Sequence, residues 1–144
     1  MAYRRYRRTS CRPRNRPPAR PGDVTIPPVR ILVCGGRTYN ERAKVADVLC
    51  ELSANRRGEA MTLIHGAAAG ADKIAAECAG DLGWTIEAYK ANWLRYGTSA
   101  GPIRNRAMID RGKPDLVIAF PGGSGTEDMV ARAEKAGIPV RRVT

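Results

Sequence analysis

A chain of 144 residues that is 43% hydrophobic holds one domain's worth of core, and no apolar run approaches the roughly 20 residues needed to span a bilayer. Its net charge of +11 is lopsided: residues 1–22 carry eight arginines and no acid, so only +3 is left for the remainder. Those 22 residues also lack the apolar stretch of a signal peptide, and four cysteines without a Cys-x-x-Cys pair, beside the single His65, do not make a zinc site. The expectation is a soluble, cytoplasmic protein with no membrane partner, no bound metal and no cofactor, its cysteines serving as small buried hydrophobes.

Residues 1–28 contain six of the ten prolines and almost no aliphatic side chain before Val24. Such a segment cannot bury enough apolar surface to offset its ordering entropy, and a disordered Arg/Pro-rich tail is expected, with the folded domain over 29–144. "VRILVCGG" (29–36) is an apolar run ending in glycines, a buried strand. Val45, Val48, Leu49 and Leu52 then fall at i, i+3, i+4 and i+7, one face of a helix with Asn40 as N-cap and Gly58 past its end. "MTLIHG" (61–66) is a second strand. Ile74, Cys78 and Leu82, four apart, predict a second helix that Gly83 stops. "WTIEAYK" (84–90) is a weaker third strand, and residues 91–100 read as a loop. "AGPIRNRAMIDRG" is a third helix with Pro102 in its first turn and Gly112 past its end. "DLVIAF" (115–120) is the strongest strand, "GTEDMVARAEKAG" a fourth helix with Met129, Val130 and Ala133 apolar, and "IPVRRV" (138–143) a fifth strand.

Five strands separated by four helices are βαβ units. They predict an α/β, Rossmann-like three-layer domain with a five-stranded parallel sheet and helices on both faces. In such sheets a ligand lies beyond the carboxyl ends of the strands, where strand order reverses.

Three strand-exit loops are glycine-rich: "GGRTYN" (35–40), "GAAAGAD" (66–72, with Gly70 before the helix) and "PGGSGTED" (121–128). Each runs into a helix N-terminus, where free N–H groups and the helix dipole favour an anion, and glycine lets a ligand approach the backbone. One such loop is an ordinary tight turn; three on one sheet edge suggest a pocket of nucleotide or phosphate size. "PGGSGT" is similar to the Pro-Gly-Gly-x-Gly-Thr signature of the LOG phosphoribohydrolases. With "CGGR", "HGAAAGAD" and "GPIRNRAMI", the stretch from about 29 to 143 resembles the YspA/YpsA-related branch of the SLOG superfamily, which also includes the Rossmann-like domain of DprA. The resemblance implies a Rossmann-like fold and a pocket for a nucleotide or nucleotide-derived ligand.

On that reading Gly122, Gly123, Gly125 and Thr126 cradle a phosphate, Gly35 and Gly36 let the ligand lie against the first strand's exit, and Arg37 pairs with an anion. Asp72, at a helix start, is either an acceptor for a ribose hydroxyl or a plain N-cap. Arg104 and Asn105 lie in the first turns of the third helix, where LOG enzymes carry a catalytic arginine. His65, at a strand end, is expected as a hydrogen-bonded structural histidine rather than a base. The LOG motif continues to a catalytic glutamate, and here that position is Met129. Glu127 and Asp128 precede it, and at about 100° per residue neither points the same way. Asp128 is the acid that could serve from a shifted pose, which makes a nucleoside-monophosphate N-glycosidase one reading and a ligand sensor the other. The alternative is a nucleic-acid-binding protein, its arginine tail and Tyr3 and Tyr6 neutralising phosphates and stacking on bases. A homo-oligomer is compatible with either.

Overall fold

The computed structural model describes residues 29–56 and 59–144; the proposed tail and the Gly58 stop lie outside the described residues. In chain order the elements are β1 (Val29–Cys34), α1 (Arg42–Asn55), β2 (Met61–His65), α2 (Ala71–Asp81), β3 (Thr85–Ala88), a single helical turn α3 (Trp93–Tyr96), a 3-10 turn (Gly97–Ser99), α4 (Ala100–Asp110), β4 (Leu116–Ala119), α5 (Ser124–Lys135) and β5 (Val140–Arg142). The sheet is parallel throughout, in the order β3-β2-β1-β4-β5. No helix among the described residues is long and apolar enough to cross a membrane.

The alternation of side chains along β1 explains the three layers. Ile31 and Val33 join one apolar cluster with Val45 and Leu49 of α1 and Ile74 and Cys78 of α2. Leu32 and Cys34 join the other, with Met108 and Ile109 of α4 and Met129 and Val130 of α5. Each of Ile31, Leu32 and Val33 is fully buried, which contributes about 1.5–3 kcal/mol per side chain. Because both faces are covered, a central strand has no polar face, and so it reads as an unbroken apolar run. The edge strands β3 and β5 are mostly exposed, and their charged residues weaken the pattern that betrays them in sequence.

Three local expectations are corrected. Glu41, not Asn40, occupies the N-cap of α1, and no side chain caps it. The stretch 91–100 is not a plain loop: Asn92 Oδ1 accepts the Arg95 N–H at 3.1 Å, and this cap starts the turn α3. Helix α5 begins at Ser124, one residue early, with Gly123 at its N-cap. Gly83 stops α2 as expected, with φ of 81°, a conformation that suits glycine.

Candidate functional site

Strand order reverses between β1 and β4, whose ends are joined by the Phe120 N–H donating to Cys34 O at 2.9 Å. Beyond these ends lies a crevice of about 960 Å³. Its walls come from the loops after β1, β2 and β4, from α3, and from the first turns of α4 and α5. The β1 and β4 loops touch directly: Gly36 N–H donates to Pro121 O at 2.9 Å. Gly36 O in turn accepts from Tyr39 N and from Ala71 N, both at 3.2 Å, so one residue ties three loops together.

The glycines of these loops divide into two kinds. A Cβ on Gly35 would stand 2.6 Å from the Ala71 Cβ, and one on Gly70 would stand 2.5 Å from Arg37 O. Gly70 also has φ of 74°. A Cβ on Gly122 would lie 2.6 Å from Gly36 N and against the Thr126 hydroxyl, and one on Gly36 would lie 3.0 Å from Pro121 O. These four let the loops pack directly against their neighbours, which the fold itself demands. Gly123 and Gly125 differ. Nothing lies within 4 Å of where their Cβ atoms would be, and both line the crevice. Gly123 has φ of −100°, which does not call for glycine. The first intrahelical acceptor of α5 is Gly123 O, which takes the Glu127 N–H, and no side chain caps the helix. The N–H groups of residues 124–126 therefore have no partner within the helix.

A chain of polar contacts crosses the crevice floor. Asp72 is buried, and its Oδ2 accepts from Gly66 N at 2.8 Å and Ala68 N at 3.4 Å. Arg104 Nη1 donates to Gly66 O at 2.7 Å and Nε to Asn105 Oδ1 at 3.0 Å. Asn105 Nδ2 donates to Gly125 O at 3.2 Å and to Asp128 Oδ2 at 3.0 Å. That oxygen also accepts from Arg132 Nε at 2.8 Å. Burial pushes the Asp72 carboxyl up to about 6, against the backbone donors and the fields of Arg104 and Arg37. Burial likewise pulls the Arg104 guanidinium down.

All the sequence-predicted site residues but Gly70 line one crevice, with different attachments. Asp72 is not an N-cap; it is the second residue of α2, and its carboxylate holds the preceding loop. Asn105 is buried, and both ends of its amide are used on protein groups. Arg37 is exposed, its guanidinium 5.0 Å above the Trp93 ring. Met129 is fully buried in the apolar cluster with Leu32, Cys34 and Met108. His65 accepts the Ala67 N–H on Nδ1 at 3.0 Å, and burial pulls its pKa down, so the neutral ring serves the turn where Ala67 has φ of 55°. Tyr39, Trp93 and Ser124 also line the crevice and escaped the sequence reading. The available signal was an aromatic cluster, "NWLRYG", in a chain with only 6% aromatic residues.

A parallel sheet in the order 3-2-1-4-5, with glycine loops closing a crevice at the reversal point, defines a Rossmann-like α/β protein with a ligand site at its switch point. The chain belongs to the YspA, cpYpsA-related SLOG family, whose model matches residues 29–96. It is 36% identical over 118 residues to the Gene 61 protein of Mycobacterium phage D29, a match that covers 77% of this chain and 93% of that protein. Among solved structures it resembles the X-ray structure of TM1055, a Northeast Structural Genomics Consortium target. There the TM-score is 0.59 at 16% identity, over 78% of this chain and 72% of the other, a likeness of fold.

Proposed function

We propose that the crevice binds a nucleotide or nucleotide-derived phosphorylated molecule, with its phosphate at the start of α5, and that the protein senses this ligand rather than cleaving it. The observation that carries the reading is the pair Gly123 and Gly125. The fold leaves open space at both, and the donors of residues 124–126 have no helical acceptor beside them. SLOG membership supports a nucleotide-related ligand. Arg104 and Thr126 add a cation and a hydroxyl to the same crevice, and Asn105 acts as a positioning residue for Arg104 and the α5 N-terminus.

Sensing is favoured over N-glycosidic cleavage by two features. The position of the LOG-type glutamate holds Met129, whose side chain belongs to the core. Asp128, the acid of α5 that lines the crevice, commits Oδ2 to Asn105 and Arg132. Bond cleavage needs a carboxylate presented to the developing oxocarbenium charge. The test is native mass spectrometry of the purified full chain, followed by incubation with nucleoside monophosphates and assay for free base. A retained ligand of nucleotide mass and no free base is the expected result. Release of base that stops in Asp128→Asn would make the protein a hydrolase, and the absence of any nucleotide binding would end the phosphate-site reading.

A further inference from the structure

We propose that Trp93 is the platform for the base of the ligand, and that it selects base-bearing nucleotides over bare sugar phosphates. The proposal rests on the phosphate-site reading above and adds the opposite end of the ligand. Trp93 is 46% exposed, on a helix of only four residues, where no core claims it. Leu94, Tyr96 and Ile103 are also exposed apolar side chains of this region, yet of the four only Trp93 turns into the crevice that the 121–126 loop lines.

The ring is held in place without being buried. Its Cη2 lies 3.4 Å from where Gly101 would carry a Cβ, so the edge of the indole rests on the first turn of α4. A larger side chain at 101 would crowd the ring. The Arg37 guanidinium stands over one face of the indole, 5.0 Å from the ring centre. Among the described residues Arg37 makes no hydrogen bond or ion pair, and it is exposed to solvent, where a cation–π contact is weak. Stacking of a nucleobase on an aromatic ring is the stronger interaction, and it tolerates any base because every base has a π-face. In the proposed complex Arg37 leaves the indole for the anionic part of the ligand, and the base takes its place. The cation thus covers an apolar ring while the site is empty and neutralises charge once it is filled.

Calorimetric titration of the full chain with the four common ribonucleoside 5′-monophosphates and with ribose 5-phosphate separates the two ends. The parent should bind the nucleotides about ten- to a hundredfold more tightly than ribose 5-phosphate, the range expected for one stacked base. Trp93→Ala should abolish that preference and leave ribose 5-phosphate affinity unchanged, and Trp93→Phe should keep most of the preference. Nucleotide, not ribose 5-phosphate, should quench the tryptophan emission of the parent, and Trp93→Phe should lose this response. Equal affinity of the parent for nucleotides and ribose 5-phosphate, both abolished in Gly123→Val, would overturn the platform and spare the phosphate site. An unchanged nucleotide preference in Trp93→Ala would do the same. If neither probe binds the parent, the phosphate site and the platform both fail.

Discussion

Gly122 and Gly123 are adjacent, and substitution should separate what the fold needs from what the ligand needs. A methyl group on Gly122 would lie 2.6 Å from Gly36 N and 2.9 Å from Gly35 C, against the roughly 3.5–4.0 Å of a relaxed carbon contact. Neither neighbour can retreat, because Gly36 N–H is bonded to Pro121 O and Gly36 O holds Tyr39 N and Ala71 N. Overpacking of this kind costs about 1–3 kcal/mol, and Gly122→Ala should lower the thermal midpoint by roughly 5–15 °C for a domain of this size. Gly123 has no atom within 4 Å of its missing Cβ, so Gly123→Ala should leave the midpoint nearly unchanged. The gain from a stiffer unfolded chain, about 0.4–1 kcal/mol, roughly offsets the poorer N-cap. Binding should follow a different order. Gly123→Val places a branched side chain where the phosphate would meet the α5 amides. Loss of one or two charge-assisted hydrogen bonds, at about 1.5–3 kcal/mol each, weakens nucleotide binding about a hundredfold or more. Differential scanning fluorimetry reads the first effect and calorimetric titration the second. A Gly123→Val protein that binds every ligand of the parent would reduce the loop to a tight turn, and a Gly122→Ala protein as stable as the parent would refute the close-packing argument.

Thr126→Ala should weaken nucleotide binding by about 1.5–3 kcal/mol, the loss of one hydrogen bond to a charged group, measured by the same titration. Asp72 makes stability depend on pH. Its carboxyl ionises at about 6 in the fold against 3.8 as its ordinary value, so between those limits the folded protein holds the extra proton, and stability falls as pH rises through the window. A shift of about two units corresponds to about 3 kcal/mol, so in urea titrations at pH 4 and pH 7 Asp72→Asn should gain on the parent by that order; parallel curves would refute the burial argument. The eight arginines of residues 1–22 should give the full chain sequence-tolerant binding to single-stranded DNA that falls steeply with salt and mostly vanishes in a chain starting at Val24. Binding that survives the truncation would put the nucleic-acid surface on the folded domain.

The sheet was legible because its signal is local. Strands β1, β2 and β4 are buried on both faces, and hydrophobic runs ending in glycine leave few other readings. The crevice was legible for the same reason, since loops at the carboxyl ends of parallel strands must share one edge. What the sequence could not supply was the division of labour among its polar residues. Asn105 reads as a ligand contact until its amide is seen joining its neighbour Arg104 to Gly125 and Asp128 of α5. Asp72 reads equally well as an N-cap, and only the contacts to Gly66 and Ala68 show that it braces the β2–α2 loop. Trp93 was missed because a four-residue helix has no periodicity to find, which leaves only its short aromatic cluster to mark it.

The glycines show most clearly why spacing alone underdetermines a site. In sequence Gly35, Gly36, Gly70, Gly122, Gly123 and Gly125 look equivalent, and any of them fits a phosphate loop. In the fold Gly35, Gly36, Gly70 and Gly122 are accounted for by neighbouring protein atoms, and these contacts would require small residues even in a protein that bound nothing. Only Gly123 and Gly125 face free space. A glycine that the fold does not need, at a helix start whose amides lack acceptors and in the wall of a crevice, is the residue whose substitution tells ligand recognition apart from folding. The same reasoning applies in reverse to Met129. Its side chain is fully buried beside Leu32 and Cys34 although it borders the crevice, so a carboxylate introduced there would be desolvated among apolar side chains. The departure from the LOG motif is therefore built into the packing of α5 on the sheet, and it is not a single residue that could be exchanged at no cost.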